Sequence, residues 1–284
     1  MGESKLALGT LYLVGTPIGN LEDMTARAIK TLQQVDLIAA EDTRHTGRLL
    51  QFFQITTPTI SYHSHNTQER LPQILTRLEA GEAIALVSDA GMPGISDPGT
   101  ELVQACIQHQ INVIPIPGVT AAITALVTSG LDTSGFSFLG FLSQDHSQRR
   151  SQLTQIKASA LTLILYEAPH KLLRTLHDLG DTLEPERQLV LGRELTKLHE
   201  EFWRGSLAEA LSYFTDHVPR GEFTLVIAGR PFTPSPIFSD QDLINQLQQL
   251  IDQGMSRSQA SRELAEALGI SRRQVYQLAL GLPD

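Results

Sequence analysis

Two alternating patterns of apolar positions run through the first 120 residues. Short apolar runs, LYLVG at 11–15, LIAA at 37–40, TISYH at 59–63, AIALV at 83–87 and NVIPIPG at 112–118, are bounded by turn formers and predict strands. Between them, apolar residues recur at helical spacing. Met24, Ala28, Leu32 and Val35 fall on one face, ERLPQILTRLEAG at 69–81 ends on Gly81 as a glycine-capped helix does, and ELVQACIQHQ at 101–110 follows. Strands alternating with helices build a largely parallel sheet covered by helices.

A second series begins near Pro117. VTAAITALVTSG at 119–130 reads as a helix and FSFLGFL at 136–142 as a strand. LTLILYEAPHKLLRTL, QLVLGRELTKLHEEFWRGSL and GEFTLVIAG then supply three more strands with helices between them, enough for a second, mixed sheet. RPFTPSPIFSD at 230–240 holds three prolines and reads as a linker. The chain thus divides into an α/β domain over 1–117, a second α/β domain over 118–232, a proline-rich linker over 233–240 and a helical module over 241–284.

That module has its own pattern. Ser256 with Gln259, and Ser271 with Gln274, fit the spacing of capping boxes. Ala260, Leu264, Ala265 and Leu268 form one apolar face, and Val275, Leu278 and Ala279 another, with Gly269 at a turn between them. Two short helices joined at a glycine predict a helix-turn-helix. Arg272 and Arg273 stand in the first turn of the second helix, where the helix dipole disfavours cations, and this placement points to phosphate contact together with Arg257 and Arg262. A small protein-binding module is the alternative reading.

Composition narrows the function. At 284 residues and a formal charge of −9, the chain is long enough for two cores and too acidic to coat nucleic acid, so any nucleic-acid contact must be local. Cys106 stands alone, which excludes a disulfide framework or a cysteine-built zinc site within one chain. No apolar run is long enough to span a bilayer, and the first residues lack the basic region and cleavage site of a signal peptide, so a cytoplasmic protein is expected.

The chemistry is concentrated in loops. ALVSDAGMPGISDPG at 85–99 ends a strand in three glycines, two prolines and two aspartates, at the strand end where open α/β sheets bind ligands. VGTPIGN at 14–20 lacks both the lysine of a phosphate loop and the spacing of a dinucleotide site, and is left as a tight loop able to approach a ligand or another loop. PGVTAA at 117–122 sets Gly118 at a strand-to-helix junction, suited either to a polar ligand or to helix packing. AEDTRHT at 40–46 offers Glu41, Asp42, Arg44 and His45, and SYHSHN at 61–66 adds His63, His65 and Asn66. For Asp42 with Arg44 a structural ion pair, and for His63 an ordinary packed histidine, compete with a functional role. No ligand spacing elsewhere supports a metal at His63 and His65.

In order and spacing, LYLVGTPIGNLEDMTARAIKTL, AEDTR, LVSDAGMPGISDPG, VIPIPGVTAAITAL, LYEAPHKL, GREL and GEFTLVI resemble the tetrapyrrole-methylase superfamily, and more narrowly its ribosomal RNA branch, over essentially the whole chain. The resemblance implies S-adenosylmethionine in a cleft between two α/β domains, usually within a homodimer. It places Ile18, Val87, Ser88, Asp89, Met92, Thr120, Ala121, Tyr166, Glu167 and Leu195 about that donor. It also implies methyl transfer to the 2′-hydroxyl of a cytidine in the decoding centre of 16S ribosomal RNA, on free RNA or the small subunit. Glu41, Asp42, Arg44 and His63 are then expected to position RNA and handle the proton; Ser64 departs from the branch's usual YHEHN. Two other readings compete: methylation of a tetrapyrrole carbon, and a ligand-sensing DNA-binding regulator. The helix-turn-helix disfavours the first, and its small size beside a donor cleft disfavours the second.

Overall fold

The computed structural model describes residues 6–230, 239–268 and 270–282. All but the last two residues of the predicted linker, and Gly269 of the predicted turn, lie outside them. The chain forms two compact units, Met1–Arg230 and Pro231–Asp284.

In the first unit, β1 (Thr10–Val14), β2 (Leu37–Ala40), β3 (Thr59–Ser61), β4 (Ile84–Val87) and β5 (Asn112–Ile116) make one sheet in the order β3-β2-β4-β1-β5, every pair parallel. α1 (Ala26–Gln34), α2 (Thr43–Phe52), α3 (Thr67–Glu79) and α4 (Thr100–Gln108) connect the strands. β2 and β4 are buried along their whole length, the reason they read as unbroken apolar runs. Successive strand residues face opposite sides. Leu11, Ile84 and Leu86 meet Ile74, Leu78, Leu102 and Cys106 on one side. Tyr12, Val14, Ala85 and Val87 meet Met24, Ala28, Leu32 and Val35 on the other, as the spacing of those four predicts.

The second sheet is mixed, as expected. β6 (Phe136–Gly140), β7 (Thr162–Glu167), β8 (Gln188–Arg193), β9 (Glu201–Ser206) and β10 (Phe223–Ile227) lie in the order β6-β7-β10-β8-β9, with only β6 and β7 parallel. The expectation of three strands after β6, with helices between them, needs correction. The segment 188–206 forms two strands, a β8–β9 hairpin paired from Gln188 with Ser206 to Arg193 with Glu201. Glu194 and Thr196 turn the chain back with φ of 49° and 65°, and the largely polar run TKLHEE at 196–201 hides the start of β9 at Glu201. α5 (Ala121–Ser129) packs Ala122, Ala125 and Leu126 on Ile164, Val190 and Val226. α6 (His146–Ala158), α7 (Pro169–Gly180) and α8 (Leu207–Asp216) join the core on the other face through Ile156, Leu172, Leu176, Leu207 and Phe214.

The second unit adds a helix to the predicted pair. α9 (Asp240–Asp252) opens on a capping box between Ser239 and Asp242 and buries Leu243 and Leu247 against α10 (Arg257–Leu268) and α11 (Arg272–Ala279). Ser256 Oγ accepts the Gln259 amide at 3.3 Å, whereas the Gln259 side chain bonds that hydroxyl rather than the Ser256 backbone. Ser271 makes no side-chain cap, correcting the second predicted box; its exposed helix end leaves the free amides to water.

Candidate active site

Three loops leave the carboxyl ends of β1, β4 and β5, which are neighbours in the first sheet. They interlock through their backbones. Thr16 N–H donates to Gly91 O at 2.9 Å, Gly91 N–H donates to Thr16 O at 3.1 Å, and the Thr16 hydroxyl donates to Ser88 O at 3.1 Å. A Cβ on Gly15 would lie 2.7 Å from Gly118 Cα and 2.7 Å from Met92 Sδ, so glycine at both 15 and 118 is what lets the first and third loops meet. These sequence-singled loops therefore build one surface, in the crevice beyond the strand ends that suits ligands.

That surface walls a cavity of about 390 Å³ within the first unit, a volume in the range of small-molecule sites. Ile18, Met92, Thr120, Ala121, Tyr166, Glu167 and Leu195 line it, all named from the sequence. Val87, Ser88 and Asp89 do not. Val87 and Ser88 are buried beneath the loop, and Asp89 is turned toward β2. There Asp42 N–H donates to Asp89 Oδ1 at 3.1 Å, and Asp89 N–H donates to Glu41 Oε2 at 3.3 Å, tying the ends of β2 and β4 together. The lining also includes Ile95, Asp97, Phe141, His170, Lys197 and Glu222, which the sequence reading did not name. Asp97 had a signal, as the second aspartate of the loop at 85–99. Phe141, Lys197 and Glu222 had none, because the second sheet alone brings them to the wall.

The polar wall is organised. The Glu167 carboxylate is buried and accepts Ala168 N–H at 2.9 Å at the start of α7 and the Thr175 hydroxyl at 2.5 Å. Thr175 in turn accepts from Arg149, which donates to Asp178 at 2.6 Å. Lys197 Nζ donates to Glu194 and Glu222, each at 2.9 Å; burial works against its charge, but those two bonds outweigh burial and raise its pKa. Tyr166 accepts Ala122 N–H at 3.2 Å through its phenol oxygen and sets its ring edge-on to Phe138 and Phe141. Asp97 differs from the other wall carboxylates. Burial, then the charge of Glu41 and of Asp89, push it up to about 6, against the pull of the Ser88 hydroxyl. Burial likewise raises Glu41.

Glu41, Asp42, Arg44 and His63 do not line the cavity. Asp42 caps α2 by accepting Arg44 N–H at 2.8 Å and holds the exposed Arg44 guanidinium at 3.1 and 2.8 Å, bonds that lower its pKa strongly. This is the structural ion pair that competed with a functional role. His63 N–H donates to Asn66 Oδ1 at 2.9 Å, and its buried Nδ1 has no partner. In the second unit Arg262, Arg272 and Arg273 are exposed, whereas Arg257 donates to Leu282 O at 2.8 Å and closes the helical module on itself. No helix among the described residues is long and apolar enough to cross a membrane.

Comparison with known proteins gives the same layout a wider context. A family model for tetrapyrrole (corrin/porphyrin) methylases matches residues 10–211, and one for the RsmI C-terminal HTH domain matches residues 239–283. A Synechocystis sp. protein named ribosomal RNA small subunit methyltransferase I is 59% identical over 275 residues, 97% of this chain and 99% of that protein. A protein of the same name from Halalkalibacterium halodurans is 46% identical, over 95% of this chain and 94% of that protein. Among solved structures, uroporphyrin-III C-methyl transferase from Thermus thermophilus, complexed with S-adenyl homocysteine, aligns at a TM-score of 0.56 with 18% identity. The alignment covers 76% of this chain and 96% of that one, a likeness of fold.

Proposed function

Because the chain belongs to the tetrapyrrole methylase family, we propose that it is an S-adenosylmethionine-dependent methyltransferase of ribosomal RNA. Its target in this reading is the ribose 2′-hydroxyl of a cytidine in the decoding centre of 16S RNA, presented by the small subunit or by free RNA. The observation that carries the substrate is the 59% identity along 97% of the chain with a protein named for ribosomal RNA methylation. The donor is supported by the family match and by the character of the cavity.

S-adenosylmethionine supplies a methyl group on a positively charged sulfur, open to in-line attack by an oxygen nucleophile. The residues on the wall fit such a ligand. Ile18, Met92, Ile95, Phe141, Tyr166 and Leu195 offer apolar surface for an adenosyl group, and Thr120 and Ala121 stand at the start of α5. Asp97, with Glu41 and Asp89 behind it, supplies a negative field for a sulfonium. Regions 1–117 and 118–232 share this cavity in the proposal. The module over 241–284, beyond the linker at 233–240, adds phosphate contacts through Arg262, Arg272 and Arg273, and the loops bearing Glu41, Asp42, Arg44 and His63 position RNA nearby. The working form is a homodimer in the cytoplasm.

The same fold serves tetrapyrrole-carbon methylation, so the product decides the matter. Ribosomal RNA from cells with and without the protein, digested with nuclease and read by mass spectrometry, should differ by one 2′-O-methylcytidine. A methyl lost from a base would refute the ribose chemistry. Unchanged RNA with a missing methylated tetrapyrrole would replace the reading altogether.

A further inference from the structure

The carboxylates around the cavity fall into two groups by what they already hold. Glu167 spends its oxygens on the Thr175 hydroxyl and on the start of α7, and Glu222 is bound to Lys197. Behind the wall, Asp42 is neutralised by Arg44, Asp89 accepts Asp42 N–H, and Glu41 accepts Asp89 N–H. Asp97 alone among these lies on the cavity wall with no cation and no helix start on its carboxylate, and the nearby Ser88 hydroxyl donates to Ala90 O at 3.4 Å.

Its backbone is held tightly. Ser96 sits in the left-handed region at φ 63°, a Cβ on Gly140 would lie 3.0 Å from Ser96 Oγ, and Gly99 has φ 145° with Leu86 Cδ2 2.9 Å from where a Cβ would stand. Ser96 is the strained position of these, and a non-glycine residue in the left-handed region persists where the surroundings fix it and is found most often at functional sites. Met92, Ile95, Phe141 and Tyr166 give Asp97 an apolar setting within the cavity.

From this geometry we infer that Asp97 is the catalytic residue that accepts the proton of the substrate hydroxyl during methyl transfer. The inference rests on the functional reading above. In the step, the ribose oxygen forms a bond to the methyl carbon and the carbon–sulfur bond breaks with its electron pair passing to sulfur. The hydroxyl proton passes to Asp97, so a sulfonium and a carboxylate become a neutral thioether and a carboxylic acid. A carboxylate with a pKa near 6 is a stronger base than an ordinary aspartate yet remains ionised at pH 7.5. The charged groups that act on it from behind the wall are Glu41 at the end of β2 and Asp89 after β4, and the titratable groups that share the cavity wall with it are Tyr166, Glu167 and His170 from β7 and α7, Lys197 after β8 and Glu222 before β10.

Asp97→Asn keeps the shape and removes the base. With small ribosomal subunits as substrate and saturating S-adenosylmethionine, kcat should fall about 100-fold or more. The parent's kcat should rise with pH through an inflection below 6, because the bound sulfonium lowers Asp97 from its value in the free protein, and the variant's residual rate should lack it. Calorimetry with S-adenosylhomocysteine, which carries no sulfonium charge, should give affinities within about threefold of each other, showing an intact cavity. At pH 6 the parent should release protons on binding S-adenosylmethionine, measured in two buffers of different ionisation heat, and the variant should release fewer. A kcat within about threefold of the parent overturns the proposal, as does loss of S-adenosylhomocysteine binding, which would make Asp97 a donor-pocket residue. If the parent itself methylates neither subunits nor naked ribosomal RNA, the functional reading fails and takes this proposal with it.

Discussion

At Asp97 the folded chain holds a carboxyl at about 6, while unfolding returns it to 3.8. Between those values the folded state binds more protons than the unfolded one, so this group makes stability fall as pH rises from 3.8 to about 6 and keeps it lowered above. Asp97→Asn should therefore melt higher than the parent at pH 8, and the gap should close below about pH 4. Melting curves across that range check it; a gap independent of pH would deny the raised pKa. Glu167 is a buried carboxylate of the same wall, each of whose oxygens accepts one hydrogen bond. Thr175→Val takes one donor from it and one acceptor from Arg149 while keeping the volume. The expected cost is about 1–3 kcal/mol in urea unfolding, the penalty for an unsatisfied buried polar group. No change in the midpoint would show that water replaces the hydroxyl.

Elements place the site by bringing strand ends together. β1 lies between β4 and β5, so the loops that follow these strands meet although they are far apart in sequence. Their meeting depends on Gly15 and Gly118, where a Cβ on one falls within 2.8 Å of the other's Cα. Gly118→Ala should cost about 1–3 kcal/mol, as overpacking does. It should also weaken S-adenosylmethionine binding at least tenfold, since Thr120 and Ala121 move with the loop. Calorimetry on the folded variant reads the second effect, and unchanged affinity would separate the loop from the donor. On the other side of the cavity, the β8–β9 hairpin and its left-handed residues Glu194 and Thr196 set Leu195 and Lys197 on the wall.

For the molecule as a whole, the net charge of −9 leaves any RNA attraction to local positive charge, and in the proposed function the exposed Arg262, Arg272 and Arg273 of the second unit supply it. Replacing Arg262, Arg272 and Arg273 together by Gln should weaken binding to 16S RNA. It should lower the slope of log affinity against log salt by roughly 2 to 3, one counterion-release contribution for each lost phosphate contact. Donor binding should not change, because the first unit supplies every residue of the cavity wall. Filter binding across a salt series provides the slope; an unaltered slope would assign the helical module to a partner other than RNA.

Much of this architecture was legible from the chain alone, because burial imposes periodicity. β2 and β4 had to be apolar throughout to lie in the middle of a parallel sheet, and Met24, Ala28, Leu32 and Val35 had to share a face to cover it. The glycine- and proline-rich loops also announced themselves, since a chain that must turn sharply and approach another backbone has few residue types to choose from. Roles inside the site were not legible in the same way. Sequence spacing shows that Asp42, Asp89 and Asp97 are acidic; tertiary structure decides that Arg44 occupies the first, the β2 strand end occupies the second, and the third alone faces the cavity. The β8–β9 hairpin escaped for a related reason, its half-buried edge strand carrying only Phe202 and Trp203 as apolar signal. Periodic burial is written locally along a chain, whereas the partner of each charge depends on segments that only folding brings together.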